Sequence, residues 1–278
     1  MRLITFRYQE NDILTGVLKE EQVYPLPWSD LVDAIEAEPD AILAAAAAAQ
    51  PIALGEVELL APVRRPGKIM AIGLNYLDHC LEQGLTPPER PTLFTKFTTS
   101  VNDAGGQIRW DPALTQMVDY EAELAVVIGK RARRVQASDA YDYVFGYTCL
   151  NDVSARDLQK ADGQWVRAKS LDTFCPIGPV VVTVDELPDP HNLSIRSWVN
   201  GELRQSSNTK HLIHNVPDLV AFLSAAFTLN PGDIITTGTP GGVGLHRNPP
   251  TFLQPGDHIV VEVEDIGRLE NTVGPYLM

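Results

Sequence analysis

Apolar positions along this chain recur mainly with period two or in short unbroken runs. The segments "KIMAIGLNY", "PTLFTKF", "ELAVVIGKRA", "YVFGYTCLND", "GPVVVTV", "SIRSWVNGELRQ", "GDIITTGTP" and "DHIVVEVEDIGRLENTV" are rich in β-branched and aromatic residues and bounded by Gly, Pro, Asn or Asp. They read as strands. "WVNGELRQ" carries an Asn-Gly hairpin signal. Nearer the N-terminus, "MRLITFRY" and "DILTGVLKEEQVYPLP" read the same way. Helical patterns are fewer. They are "WSDLVDAIEA", with Ser29 or Asp30 as cap, "DAILAAAAAAQ", stopped by Pro51, short segments after Asn75 and after Asp152, and "VPDLVAFLSAAF". Helices and strands do not alternate as a doubly wound parallel sheet requires, so the pattern predicts a strand-rich α+β fold. "APVRRPGK", with two prolines and a glycine, marks a boundary. It divides a small N-terminal α+β domain, residues 1–66, from a larger one, residues 67–278.

Composition narrows the partners. With 278 residues and 44% hydrophobic positions the chain can bury a sizeable core. Its formal net charge of −14 argues against nucleic acid or an anionic membrane as partner, since both need a basic face. A small anionic substrate would have to be met by a few local cations or by a metal. The longest apolar run, "AILAAAAAA", is too short to cross a bilayer, and nothing resembles a targeting segment, so a cytoplasmic location is expected. Cys80, Cys149 and Cys175 are scattered and lack a C-x-x-C, which predicts free thiols in a reducing compartment.

The chemistry concentrates in "VDYEAELAVVIGK", residues 118–130. If this is one strand, Asp119, Glu121 and Glu123 share a face, with Tyr120, Ala122 and Leu124 on the other. Two carboxylates roughly 6.5–7 Å apart along the backbone repel unless a cation joins them. Two glutamates alone would read as a solvated edge. Asp152 changes that balance, because it stands where the strand "YVFGYTCLND" passes into a helix. Three oxygen ligands favour Mg²⁺, Mn²⁺ or Ca²⁺ over zinc. Two other pairs stand three residues apart, as helix neighbours do: His79 with Glu82, and Arg156 with Gln159. A carboxylate beside an imidazole orients its tautomer and raises its basicity, which suits a general base, although surface His–Glu pairs are common. Taken alone, Lys96 and Arg167 read as solvated charges. Arg167 would share a face with Lys169 if "RAKS" were a strand. "TGTPGGVG" lacks the Gly-Lys-Ser/Thr ending of a phosphate loop and reads as a tight turn.

Taken together and in order, "GLNY" with His79 and Glu82, then "DYEAEL", "NDVSARDLQ", "RAKSLDTFCPIGP" and "TGTPGGVG" resemble the fumarylacetoacetate hydrolase family over about three quarters of the chain. The resemblance implies a mixed β-roll paired into a homodimer, with a small N-terminal domain. It implies one Mg²⁺ or Mn²⁺ per subunit on Glu121, Glu123 and Asp152, with Asp119 in a supporting role. It gives His79 and Glu82 the part of a catalytic base on a lid, with Lys169 stabilising the oxyanion. Arg156, Gln159, Thr239 and Lys96 would bind the substrate, a small anionic 2-oxo acid. Leu171 stands where many relatives carry Phe. Arg167 has no assigned role, His211 and His214 are taken as structural, and His246 as a residue near the cleft.

The reaction implied first is hydrolysis of the C–C bond of a 2,4-dioxo acid (an acylpyruvate or diketo sugar acid) through a metal-stabilised enolate. The same enolate serves decarboxylation of oxaloacetate, or isomerisation or hydration of an unsaturated 2-oxo dicarboxylate. A non-catalytic carboxylate-binding protein is the alternative of another class, and it leaves the full set of ligands and the dyad unexplained.

Overall fold

In the computed structural model, which describes residues 1–9, 12–37 and 39–277, two sheets organise the chain. The larger, of 12 strands, runs Ile52–Ala53, Gln22–Pro25, Asp12–Lys19, Arg2–Tyr8, Cys175–Thr183, Val144–Asn151, Ala122–Ile128, Ile234–Thr236, Ile69–Gly73 and Thr92–Lys96, with Val57–Leu60 and Val101–Asn102 paired off this path. The smaller has five strands, in the order Glu202–Asn208, Ser194–Val199, His258–Val263, Gly267–Val273 and Gln107–Ile108. Most pairs are antiparallel, but Ile234–Thr236 lies parallel to Ile69–Gly73, so the large sheet is mixed. This is the strand-rich α+β architecture that the periodicity predicts. The N-terminal strand is hydrogen-bonded into the same large sheet, with Arg2 opposite Val182 and Leu3 opposite Val181.

The strand Ala122–Ile128 is buried along its whole length, and its alternate residues serve two cores. Ala122, Leu124, Val126 and Ile128 pack into one cluster with Tyr147, Val220 and Leu223. Ala125 and Val127 pack into another with Leu3, Leu31 and Ile234. Both faces are therefore apolar, as in a strand covered on two sides. Glu123 continues the second series at the strand's N-terminal end, where apolar packing gives way to a cavity.

Two local expectations need correction. The strand expected to run unbroken from Val118 is interrupted: Val118–Asp119 pairs with Ser154–Ala155, and Ala122–Ile128 pairs with Val144–Asn151. Between the ladders the Asp152 N–H donates to the Glu121 carbonyl at 2.9 Å, and the Glu121 N–H donates to Asn151 Oδ1 at 3.0 Å. An irregularity of this kind re-aims side chains; here Asp119 is turned away from the other two acids. "RAKS" is not a strand. Val166–Lys169 is a short helix, which leaves Arg167 exposed and paired with Asp162 while Lys169 is buried.

The remaining helices follow their sequence signals. Leu31–Glu36 is capped by Asp30, whose side chain accepts from the Val32 N–H. Pro39–Ala48 and Val216–Ala226 also form as read, the latter behind an Asn215–Asp218 capping box. Cys80, Cys149 and Cys175 are buried free thiols. Among the described residues no helix is long and apolar enough to cross a membrane.

Candidate active site

Glu121, Glu123 and Asp152 converge. Each offers a carboxylate oxygen within 4.8 Å of the others, and all three are buried. Glu121 and Glu123 line a cavity of about 390 Å³ together with His79, Phe94, Arg156, Gln159, Lys160, Trp165, Lys169, Thr239 and His246, and Asp152, fully buried, adjoins them at its floor. Buried carboxylates need opposing charge, and two do receive it. Lys169 Nζ donates to Glu121 Oε2 and to Asp152 Oδ2, both at 2.7 Å. Lys96 Nζ donates to Asp152 Oδ1 at 2.6 Å and also contacts the Lys169 carbonyl. Arg156 Nη1 lies 2.7 Å from Glu121 Oε1.

These pairings set the protonation states. Burial alone would raise Glu121, but the Lys169 and Arg156 charges outweigh it and hold the carboxyl at about 2. Burial would lower Lys169, but Asp152 and Glu121 raise it above the ordinary lysine value. Burial would likewise lower Arg156, and Asp119 and Glu121 more than compensate. Glu123 differs. Among the described residues it accepts only the Gly238 N–H, at 2.8 Å, and it is 1% exposed. Burial, then the charges of Asp152 and Glu121, push its carboxyl well above the usual range.

That imbalance bears on the expected metal. A buried carboxylate beside two others, without a cationic side chain of its own, is the position a hard divalent cation would neutralise. An all-oxygen set of three acids suits Mg²⁺ or Mn²⁺. The residues therefore fit the ion. Gly238 makes the approach to Glu123 possible. Its φ is +98°, and a Cβ there would lie 2.9 Å from the Asn75 Cβ. Asn75, itself fully buried, holds this loop by donating to the Thr237 carbonyl at 2.8 Å.

Asp119 supports the floor from outside. Its carboxylate accepts from the Gly244 and Leu245 N–H groups at 2.7 and 3.0 Å and from Arg156 Nε at 2.8 Å. It thus fixes the guanidinium that reaches Glu121. Arg156 Nη1 also donates to Gln159 Oε1 at 3.1 Å, and Nη2 is buried without a partner among the described residues.

The opposite wall is the two-turn helix Leu77–Glu82. His79 is 7% exposed, and its Nδ1 lies 3.2 Å from Glu82 Oε2. Glu82 Oε1 accepts the Gly242 N–H at 3.0 Å, which ties the dyad to the glycine loop. Burial would raise the Glu82 carboxyl, but the hydrogen bonds from His79 and Gly242 lower it, so it stays ionised. His246, on the turn Gly244–His246, meets His79 edge-on with ring centroids 5.9 Å apart.

Most of the residues singled out from the sequence thus meet around one cavity. Glu82, Asp152 and Lys96 stand beside its lining, each bonded to a neighbouring site residue. Lys96 is buried and bonded to Asp152, so it is not a solvated charge. Several contributors had no sequence signal. Phe94 and Trp165 form an aromatic wall, with centroids 5.2 Å apart and Lys169 Nζ 5.2 Å from the Phe94 centroid. Gln205 accepts from the Ala122 N–H at 2.9 Å and donates to Thr239 Oγ1 at 2.8 Å, joining the carboxylate strand to the threonine.

This fold and cavity have relatives. Residues 68–274 match the family described as fumarylacetoacetate (FAA) hydrolase C-terminal, and the chain belongs to that family. It is 50% identical over 219 residues to the mitochondrial oxaloacetate tautomerase fahd2 of Xenopus laevis, covering 78% of this chain and 68% of that protein. Among solved structures it is similar to the fumarylacetoacetate hydrolase of Exiguobacterium antarcticum, with 40% identity, a TM-score of 0.90 and coverage of 99% of both chains. It is also similar to a maleylpyruvate hydrolase from Sphingobium sp. SYK-6 in complex with manganese(II) and pyruvate, with 32% identity, a TM-score of 0.83 and coverage of 100% of both chains. The relatives' names thus span a fumarylacetoacetate hydrolase, a maleylpyruvate hydrolase and an oxaloacetate tautomerase.

Proposed function

We propose that this protein is a metal-dependent enzyme that interconverts the keto and enol forms of a small 2-oxo acid, with oxaloacetate as the first candidate. The observation that carries the reading is a buried imidazole, oriented by a carboxylate, lining the same cavity as Glu121 and Glu123 of the three-acid cluster. The 50% identity to an oxaloacetate tautomerase supports it. Glu121, Glu123 and Asp152 would hold Mg²⁺ or Mn²⁺, one ion per subunit. When bound, such an ion supplies a Lewis acid that polarises the 2-keto oxygen.

The chain's own residues then manage the proton. Glu82 accepts the Nδ1–H of His79, which leaves Nε2 unprotonated as the base. In the keto-to-enol direction Nε2 takes a proton from C3 and returns it to the 2-oxygen; the reverse direction retraces these steps. Lys169 has three N–H donors and gives two to Glu121 and Asp152, leaving one for the developing oxyanion. Thr239 and Gln159 would orient the substrate carboxylate, and Phe94 and Trp165 keep water from that side.

Hydrolysis of an acylpyruvate is the second reading. It is favoured by the cavity volume of about 390 Å³, which exceeds what a four-carbon acid fills, and by the likeness to the maleylpyruvate hydrolase. There the same His79 would activate water. The deciding experiment follows the ultraviolet absorbance of enol-oxaloacetate and, in parallel, pyruvate release from acylpyruvates, each with Mg²⁺ or Mn²⁺. Enol decay no faster than in buffer alone, together with steady pyruvate release, would replace the first reading with the second. We further propose a homodimer, which light scattering tests, and a boundary near residue 66, which limited proteolysis tests.

A further inference from the structure

Gln205 is 1% exposed on the strand Glu202–Asn208, at the edge of the five-stranded sheet. Every hydrogen-bonding position of its amide is taken. Oε1 accepts from the Ala122 N–H and from Ser197 Oγ, both at 2.9 Å. Nε2 donates to the Pro240 carbonyl at 2.9 Å and to Thr239 Oγ1 at 2.8 Å. A backbone N–H only donates and a carbonyl only accepts, so Ala122 and Pro240 fix which end of the amide is which. The second hydrogen of Nε2 then belongs to Thr239 Oγ1, which is an acceptor toward Gln205. The threonine keeps its own hydrogen, and among the described residues its hydroxyl has no other partner. Thr239 lines the cavity and is 5% exposed. Its β-branched side chain has few rotamers, and Pro240 after it favours an extended backbone. A stiff side chain whose oxygen is held from behind presents its O–H forward.

We infer that Gln205 is a positioning residue: it makes Thr239 a donor aimed into the cavity, where the hydroxyl meets an anionic oxygen of the substrate. This rests on the 2-oxo acid reading given above. If Thr239 instead donated to residue 205, its oxygen would face the substrate as an acceptor and repel a carboxylate. The same amide holds the Ala122 N–H, between Glu121 and Glu123. One buried side chain therefore sets both the polarity of the hydroxyl and its place relative to the acids. Gln205 governs affinity for the anion, while His79 and Glu82 govern the proton transfer.

The test is a double-mutant cycle read by calorimetric binding of pyruvate in Mg²⁺. Thr239→Val, nearly isosteric, should weaken pyruvate about tenfold, the scale of one hydrogen bond to a charged group. Thr239→Ser, which keeps the hydroxyl, should weaken it far less. Gln205→Met, similar in length but without a donor, should weaken it about fivefold when Thr239 is present and hardly at all in Thr239→Val. A merely structural role would weaken both backgrounds equally, and that result overturns the inference. Unchanged affinity in Gln205→Met or in Thr239→Val also overturns it. Thermal melts should show the same response to Mg²⁺ in all these proteins; a lost response in Gln205→Met means that it acts on the acids and overturns the inference. Gln205→Met leaves the Ala122 N–H without its acceptor. If it fails to fold, Gln205→Glu replaces it in the cycle, since it keeps that acceptor and turns the Thr239 hydrogen inward; equal losses in the two backgrounds again overturn the inference. Enol-oxaloacetate decay separates the two failures. If the wild type binds pyruvate without accelerating that decay, the tautomerase reading falls and the cycle still judges Gln205. If it does accelerate it, Gln205→Met should raise KM by the factor seen in binding, with kcat within about twofold, and a fall in kcat alone overturns the inference. Wild-type protein that binds no pyruvate overturns it outright.

Discussion

The floor and the opposite wall of the cavity solve different problems. The floor concentrates negative charge in the interior and holds it with buried cations on three different elements: Lys96 at the end of an edge strand, Lys169 on a short helix, and Arg156 at the start of another. The wall holds a single dyad on six residues of helix, Leu77–Glu82, whose outer side is open, with Leu81 68% and Leu77 42% exposed. Breaking a charge pair in the floor leaves the remaining charge in low dielectric. Removing His79 leaves Glu82, 24% exposed, within reach of solvent. The floor should therefore couple stability to function, and the wall should separate them.

The largest effect is expected at Lys96, which is buried against Asp152. Lys96→Met removes a buried partner of Asp152 and should cost about 3–5 kcal/mol of unfolding free energy, the usual scale for breaking a buried pair. Urea denaturation checks this, and a loss within error would dissolve the distinction between floor and wall. Glu123→Gln sharpens the contrast inside the floor. It replaces the one acid without a cationic partner by a neutral isostere, so the metal-free protein should be no less stable than the wild type. Wild-type protein should gain about 2.7 kcal/mol at a metal concentration 100 times Kd. The variant should lose that gain together with its activity. Thermal melts with and without Mg²⁺ or Mn²⁺ and with chelator decide it.

At the wall, His79→Ala should lower turnover by about 10²–10⁴-fold, the range of general base catalysis. Its unfolding free energy should stay within about 1 kcal/mol of the wild type, as for changes outside a tightly packed network. A collapse in stability equal to that of Lys96→Met would show that the two regions are one cooperative network. The smallest effect concerns Glu82. Its folded pKa is lowered, so the stability it contributes is complete above the ordinary carboxylate range, near pH 4.3. That stability fades as pH falls through the lowered folded value. Glu82→Gln should flatten the acid limb of the melting temperature and leave the neutral value almost unchanged. An unaltered acid limb would mean that the contact with His79 contributes nothing to the fold.

What the sequence by itself determined is local. Period-two patterns located the strands, Asp30 and Asn215 marked helix starts, and parity put Glu121 and Glu123 on one side of a strand. Spacing of three paired His79 with Glu82 and Arg156 with Gln159. Motif order makes the family legible from sequence alone. Each of these readings draws on residues within one element, where backbone geometry alone fixes which side chains share a face.

The tertiary structure decided what lies between elements. Lys169 reaches Glu121 across 48 positions, Lys96 reaches Asp152 across 56, Gly238 reaches Glu123 across 115, and Gly242 reaches Glu82 across 160. No periodicity relates such positions, so Lys96 taken alone reads as a solvated charge and by resemblance as a substrate ligand, and its bond to Asp152 in the interior is visible only in the fold. Asp119 was assigned the face of its neighbours because an irregularity between two ladders depends on the partner strand, which a single strand's pattern does not contain. Phe94, Trp165 and Gln205 look like ordinary strand and helix residues until folding brings them to the cavity. Periodicity reports which face a residue occupies; only the packing of the sheets and loops decides what that face meets.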